Sequence, residues 1–496
     1  MPVLVIMACI GTLSMLPVSF HAAVHDDYAV ARPFFYGGIV LTGVCVLVGI
    51  AARSWRIRKP VRAMLLTIVG CYLVLPLLLA LPLVETVPGL NLLGGYFEMM
   101  SSLTTTGATL LDDPAAVAPS VHLWRALVGW WGGLIAWVSA IAIFAPMRLG
   151  GFEVLANRVE HSQTGAEYYE RSELRERLTR HSADLVPIYA GLTFLLWVLL
   201  LMAGEDPFVA LCHAMSTLAT SGITPLAGFE QASAGRIGEM LLAFFFVFAL
   251  LRRTFARDMS SNTSLPIWRE AELRVAFFIV VGLTLILILR HWLALDASSI
   301  GSEATLGEAA WGGFFTTLSF LSTTGFASAD WVDAQAWAGL SAPGLILMGL
   351  ALVGGGVATT AGGVKLLRVY ILYKHGSREM ARLVHPSSVA SIGGGSRTIL
   401  PQNAVIAWVY FMTFGLTIGA VMMALTALGI GFEEAAILAV ATLSTTGPLI
   451  DVAGQGTISE QSLPGAAQIV LCVAMVLGRL GTLTLVALLN PGFWRV

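Results

Sequence analysis

Apolar positions along this chain come in long blocks rather than in the alternation of half-buried strands. Ten blocks could cross roughly 30 Å of hydrocarbon, at about residues 2–20, 34–53, 63–84, 121–145, 185–203, 236–255, 273–294, 341–371, 402–429 and 465–489. Shorter apolar segments of about 10–14 residues follow residues 84, 203, 294 and 429; they are too short to span and predict re-entrant pieces. The first block resembles a secretory leader in length. It has no positive leading region, and Pro17 with the continuing apolar pattern predicts a first spanning helix instead.

Composition agrees with a membrane protein. The 496 residues are 57% apolar and 12% charged, against roughly 25% charged in a soluble domain. Disordered, collagen-like and disulfide-scaffold classes are excluded, and a net charge of −2 gives no general attraction for nucleic acid. The five cysteines lie singly inside apolar runs without CxxC or His-rich neighbours, as buried small hydrophobes do. The nine histidines show no metal spacing, and no nucleophile–base grouping suggests an enzyme.

Positive charge is unevenly placed. Of 28 Lys and Arg, 23 fall in alternate connections and the tail, including Arg53 to Arg62, Arg148 to Arg180, Arg252 to Arg274, Lys365 to Arg397 and Arg495. This distribution predicts a cytoplasmic side that holds both termini. Arg32, Arg125, Arg236 and Arg290 fall at outer ends, and Arg479 falls inside an apolar block.

One pentapeptide pattern occurs four times: Leu103-Thr104-Thr105-Thr106-Gly107, Leu218-Ala219-Thr220-Ser221-Gly222, Leu321-Ser322-Thr323-Thr324-Gly325 and Leu443-Ser444-Thr445-Thr446-Gly447. Chance would supply about 0.1 copies, and the glycines are 115, 103 and 122 residues apart, so the pattern marks a repeat. Each copy closes a short apolar segment and is followed by another span. The unit is therefore span, short helix, Thr/Ser-Gly strand, span. Glu205 with Asp206, Glu308, and Glu433 with Glu434 stand where three of the short helices begin, as carboxylates do at positive helix ends.

Irregular backbone at membrane depth must be buried in protein or line a wet cavity. Four such strands around one axis would make a ring of carbonyl and hydroxyl oxygens able to replace the water of a monovalent cation. Glycine would permit unusual dihedrals and close approach. A single Thr-Thr-Gly could equally be a helix stop.

Two further features sit at membrane depth. Gly354, Gly355, Gly356, Thr359, Thr360, Gly362 and Gly363 should break the eighth block, leaving a loop across the pore; close helix packing through small residues is the alternative. Lys365 after it either faces the pore or snorkels to the interface. An unpaired guanidinium at the depth of Arg479 costs at least ~2.5–3.5 kcal/mol, so Arg479 should face the pore or a polar partner such as loop carbonyls. Asp112, Asp113, Asp330, Asp333 and Asp451 follow three of the four repeat glycines and would either concentrate cations or remain solvated loop charges.

The fourfold Thr/Ser-Gly pattern, the segment Gly354-Gly-Gly-Val-Ala-Thr-Thr-Ala-Gly-Gly-Val-Lys365 and the ending Gly478-Arg-Leu-Gly-Thr-Leu-Thr-Leu resemble the TrkH/TrkG membrane subunits of bacterial potassium uptake systems, within the Trk/Ktr/HKT superfamily. The resemblance covers essentially the whole chain. It implies an all-α polytopic membrane protein of the cell inner membrane, with four span–pore-helix–span repeats in a pseudo-fourfold pore plus two extra N-terminal transmembrane helices. The corresponding divisions are residues 1–60, 61–150, 151–260, 261–385 and 386–496.

It further implies K⁺ as the transported ion, the four Thr/Ser-Gly segments as the filter, the 354–363 loop as an intramembrane gate, and Arg479 in the permeation path beneath the filter. The implied partners are a second copy in a homodimer and a TrkA-like cytoplasmic nucleotide-binding ring. This chain itself shows no nucleotide motif, since Gly393 to Ser396 lacks a dinucleotide-fold context. Gly481 stands where the family usually has Glu, and Pro448 follows the fourth glycine in place of a more glycine-rich stretch. A sodium- or proton-coupled cation symporter is the alternative, disfavoured by the few carboxylates within the spans.

Overall fold

The computed structural model describes residues 3–52, 60–111, 113–144, 174–251, 270–293, 306–340, 342–384, 401–454, 458 and 463–481. The described secondary structure is helical throughout. Helices α1 (Val3–Leu13) and α2 (Met15–Val24) form one apolar stretch, followed by α3 (Tyr28–Ala51), whose first turn is capped by the Asp27 carboxylate accepting from Val30 N. Met15, Val18 and Ala22 of α2 are fully buried, so this segment is built into the core.

From there the order long helix, short helix, Thr/Ser-Gly segment, helix recurs. It runs α4 (Pro60–Thr86), α5 (Leu92–Leu103) and α6 (Pro119–Ser139); then α7 (Leu174–Met202), α8 (Pro207–Ala219) and α9 (Gly235–Leu250). The third set is α10 (Ala271–Leu293), α11 (Leu306–Leu321), a small α12 (Trp331–Ala338) and α13 (Pro343–Val353), with α14 (Leu366–Val384) beyond a loop. The fourth is α15 (Pro401–Ala427), α16 (Phe432–Leu443), a one-turn α17 (Leu449–Gly454) and α18 (Gly465–Leu480).

Among the described residues, seven helices, or eight if the bent pair α12 and α13 is one span, are long and apolar enough to cross a membrane, where ten blocks were predicted. The shortfall has local causes. The 341–371 block is interrupted between Val353 and Leu366 by its glycines, and α18 stops at Gly481, whose φ of +79° no residue with a side chain adopts readily. Helix α9 is 16 residues long within the described region.

Burial sorts the helices into layers. Two-thirds of the α6 span is buried, whereas only about a fifth of α3 and α15 is, their outer faces presenting Tyr36, Val40, Leu47, Leu416 and Met423. With no water in hydrocarbon, such faces are stable only against lipid or another apolar surface. The core that positions the short helices includes Trp124, Trp137, Tyr189, Phe246, Phe315 and Phe320, all fully buried. Arg53, Arg56, Arg58, Lys59, Arg148, Arg158, Arg171, Arg252, Arg253, Arg257, Arg269, Arg397, Arg495, Asp112 and the Gly393–Ser396 run lie outside the described residues.

Candidate functional site at the meeting of four Thr/Ser-Gly turns

The four short helices start in different ways and end in the same way. Asn91 caps α5 by accepting from Gly94 N at 2.7 Å, and Asp206 caps α8 by accepting from Phe208 N at 2.9 Å. At the other ends, Thr105, Thr220, Thr323 and Thr445, each two residues before its glycine, have φ of +56°, +53°, +60° and +54°. A β-branched residue in the left-handed region is a genuine outlier, so four in register form a built feature.

The hydrogen bonds explain it. Thr105, Thr220, Thr323 and Thr445 donate their N–H to the carbonyls of Ser102, Thr217, Phe320 and Thr442, and the next residues donate to Ser101, Ser216, Ser319 and Ala441 at 2.8–3.0 Å. This 5→2 and 6→1 pair is the Schellman helix ending, with threonine where glycine is usual. The helix therefore ends at the threonine and not, as the helix-stop alternative would have it, at the glycine.

Each glycine abuts the next turn. A Cβ on Gly107 would fall on the Ser221 carbonyl oxygen, on Gly222 on the Thr324 carbonyl oxygen and on Gly447 on the Ala108 amide, while one on Gly325 would press on the Pro448 ring at 3.2 Å. Gly447 N also donates to Thr106 O at 2.5 Å, closing the cycle from the fourth turn to the first. Close approach thus requires glycine at Gly107, Gly222 and Gly447, and the contact at Gly325 is tight. Positive φ is required only at Gly107, Gly222 and Gly325. Pro448 fills space against Gly222 and Gly325, a role that its place in the sequence did not reveal.

Hydroxyls tie the turns internally. Thr104 bonds Thr106 at 2.8 Å, Ser322 bonds Thr324 at 3.0 Å and Ser444 bonds Thr446 at 3.3 Å. Ala219 has no hydroxyl, and Ser221 there turns to Ser216 Oγ at 3.1 Å. Among the described residues, the buried Thr105 and Thr445 hydroxyls have no hydrogen-bond partner.

The glycine-rich loop lies directly against these turns, and residues 354–364 are buried. Gly356 N donates to Ala249 O at 3.1 Å, Val357 N to Glu272 Oε1 at 3.0 Å, the Thr360 hydroxyl to Leu218 O at 3.1 Å, and Gly362 N to Thr323 Oγ1 at 2.8 Å. The loop is therefore tied to the ends of α8, α9 and α11 and to the start of α10. Thr359 braces it internally by donating to Gly356 O at 2.7 Å, and Gly355 O accepts from Leu366 N at 3.0 Å. Gly363, at φ +74°, turns the chain back toward α14.

Arg479, in the last turn of α18, donates Nη1 to Thr360 O at 2.5 Å, so its polar partner is a loop carbonyl. Lys365 turns its ammonium back onto Ala361 O rather than snorkelling outward. Tyr72, Tyr189 and Lys365 lie within electrostatic reach of Arg479.

The acids after the glycines divide. Asp330 receives a two-point contact from Arg236 at 2.9 and 3.2 Å, and Glu308 pairs with the same guanidinium at 3.0 Å. Asp113 caps a short turn through Ala115 N, Asp333 lies in α12 and Asp451 in α17.

A sequence profile described as TrkH, cation transport protein, matches residues 34–491. The chain belongs to the TrkH family. It is 31% identical over 417 residues to the Trk system potassium uptake protein TrkH of Escherichia coli K12, covering 82% of this chain and 80% of that protein. To TrkG of the same organism it is 26% identical over 434 residues, covering 86% and 84%. The crystal structure of the potassium transporter TrkH from Vibrio parahaemolyticus superposes with a TM-score of 0.80 at 27% identity, covering 100% of both chains. TrkH-family proteins are membrane transporters and not enzymes, which accords with the many apolar helices here.

Residues that hold the chain around these turns together were not singled out from sequence. Glu98 of α5, wholly buried, pairs with Arg125 of α6 at 2.9 Å and accepts from Thr109 Oγ1 at 2.9 Å and Leu110 N at 2.5 Å. Glu239 of α9 accepts from Trp311 Nε1 at 2.6 Å, Ser328 Oγ at 2.7 Å and Ala329 N at 2.8 Å. The available signal was a carboxylate inside an apolar stretch, which the cost of burying charge makes informative.

Proposed function

We propose that this chain carries K⁺ into the cell across the cytoplasmic membrane through the ring of four Thr/Ser-Gly turns, residues 104–107, 219–222, 322–325 and 444–447. The observation that carries the reading is the cyclic contact of the four glycines. It supports a pseudo-fourfold pore, made within one polypeptide, that presents backbone carbonyls and hydroxyls to a dehydrated monovalent cation. Neutral oxygens replace an ion's hydration without holding it as fixed carboxylates would. The relatives' designation as potassium uptake proteins supports K⁺ as the ion.

The loop of Gly355, Gly356, Thr359, Thr360, Gly362 and Gly363 is the gate in this reading. Its bonds to Thr323 and Leu218 put it in contact with the filter turns, and Arg479 latches it through Thr360 O while placing positive charge in the path. Lys365 adds a second cation at the loop's end. Regulation comes from a cytoplasmic nucleotide-binding ring, and two copies of the chain assemble as a dimer with both termini in the cytoplasm.

The coupled-symporter alternative needs a carboxylate free to bind and release an ion. Glu98 is neutralised by Arg125 and Glu239 is saturated by three donors, which favours the uncoupled reading. The test is growth rescue of a potassium-uptake-deficient bacterium at low K⁺, with and without the cytoplasmic subunit. Rescue that depends on that subunit supports the proposal. Absence of rescue with the protein present in the membrane contradicts it.

A further inference from the structure

The four turns are alike up to the glycine, and the chain that leaves them is held by a residue at one fixed position of the short helix. Nine residues before each glycine stand Glu98, His213, Thr316 and Leu438. Glu98 accepts from Thr109 Oγ1 and Leu110 N, two and three residues past Gly107. His213 bonds Thr224 Oγ1, two residues past Gly222, at 3.0 Å. Thr316 Oγ1 accepts from Ser328 N, three residues past Gly325, at 3.1 Å. All three side chains are buried.

The fourth turn breaks the rule. Leu438 is fully buried, and the chain past Gly447 runs through Pro448 into the fully buried Leu449. With no polar clasp there, its outer limb is folded into α17 instead: Ile450 N donates to Gly447 O at 2.8 Å.

We infer that Glu98, His213 and Thr316 are positioning residues for ion selectivity. Each clasps the outer limb of its own filter turn to the helix behind it and so fixes where the carbonyls of that turn point. This rests on the filter reading above. Selectivity by a carbonyl ring depends on how far its oxygens can relax around a smaller ion, and a limb pinned on both sides of the glycine relaxes less. In the first turn the pinning is doubled, because Ser101 Oγ also donates to Ala108 O at 2.6 Å. The Glu98 clasp carries its own counter-charge in Arg125, and the Thr316 clasp is reinforced from α9 by Glu239.

The test measures the K⁺ over Na⁺ flux ratio of the full chain in liposomes, at matched protein incorporation. Thr316→Val removes the hydroxyl at constant shape, and Thr316→Ser restores it. Glu98→Gln with Arg125→Gln weakens the first clasp without stranding a buried charge. Thr316→Val and the double variant should each lower the ratio by about tenfold, ~1.4 kcal/mol of discrimination, whereas Thr316→Ser and Leu438→Met keep it.

A structural role alone would lower the amount of protein or its total flux and leave the ratio in place. Should the double variant fail to assemble, Thr316→Val decides the matter. Ratios in the assembled variants within about twofold of a K⁺-selective parent, below ~0.5 kcal/mol, would overturn this inference and leave the filter reading standing. A parent with no K⁺ preference would overturn both.

Discussion

At the scale of single residues, the least expected feature is a threonine where a helix ending calls for glycine. Thr105, Thr220, Thr323 and Thr445 all bear the left-handed conformation, which costs an L-residue about 1–2 kcal/mol. If they served only to stop a helix, glycine would do so with less strain. Thr445→Gly separates the two roles, since its hydroxyl has no hydrogen-bond partner among the described residues. The expected outcome is a thermal midpoint equal to or above that of the parent with reduced K⁺ flux or selectivity. Unchanged transport would make the threonines terminators and nothing more.

Gly325→Ser tests the glycine itself. With φ at +86° and Pro448 against it, any side chain there must displace a neighbour, and the K⁺ over Na⁺ ratio should fall. The repeat was legible in sequence because four copies of one pentapeptide stand out from chance. The left-handed threonine was not, because propensity argues against it at every copy. The clasps were hidden for another reason: their residue types differ, and a carboxylate, an imidazole and a hydroxyl share only what they bond.

Among the elements, the 354–365 loop bonds to several separate parts of the fold. Its glycines foretold the break between α13 and α14. What they could not foretell is where its bonds go, since Gly362 meets Thr323, Thr360 meets Leu218 and Arg479 meets Thr360 across sequence separations of 39, 142 and 119. Arg479→Ala removes one latch and one positive charge together, so basal K⁺ flux should rise in the absence of the regulatory subunit. A loss of flux with the protein properly assembled would instead assign Arg479 to holding the loop's fold.

Gly362→Ala is the companion experiment. A methyl at that position would strike the Ser444 carbonyl and the Thr445 hydroxyl, so the loop must shift away from the Thr/Ser-Gly turns. Raised basal flux is expected, by about the same factor as for Arg479→Ala if both act through one closed state. A liposome leak assay compares them directly, and additive rather than equal effects would separate latch from plug.

For the molecule as a whole, the sequence blocks located the helices more reliably than they counted spans. Seven described helices are long enough; of the shorter apolar ones, α8 ends in a Thr/Ser-Gly turn and α18 brings Arg479 to the loop. That is physically consistent, because helices bordering a pore need not traverse hydrocarbon alone when neighbours and wet surfaces satisfy their ends. The bias of 23 among 28 positive charges predicts that a reporter fused to the C-terminus is active only in the cytoplasm. Activity on the opposite side would invert the direction assigned to the pore.

The central claim, that the four turns form a K⁺-selective path, is tested most directly by ion flux through the purified chain in liposomes under matched gradients of K⁺, Rb⁺ and Na⁺. The account predicts that K⁺ and Rb⁺ pass well ahead of Na⁺, and that Gly325→Ser narrows the gap. Equal passage of all three by the parent protein, or a gap that Gly325→Ser leaves untouched, would contradict it.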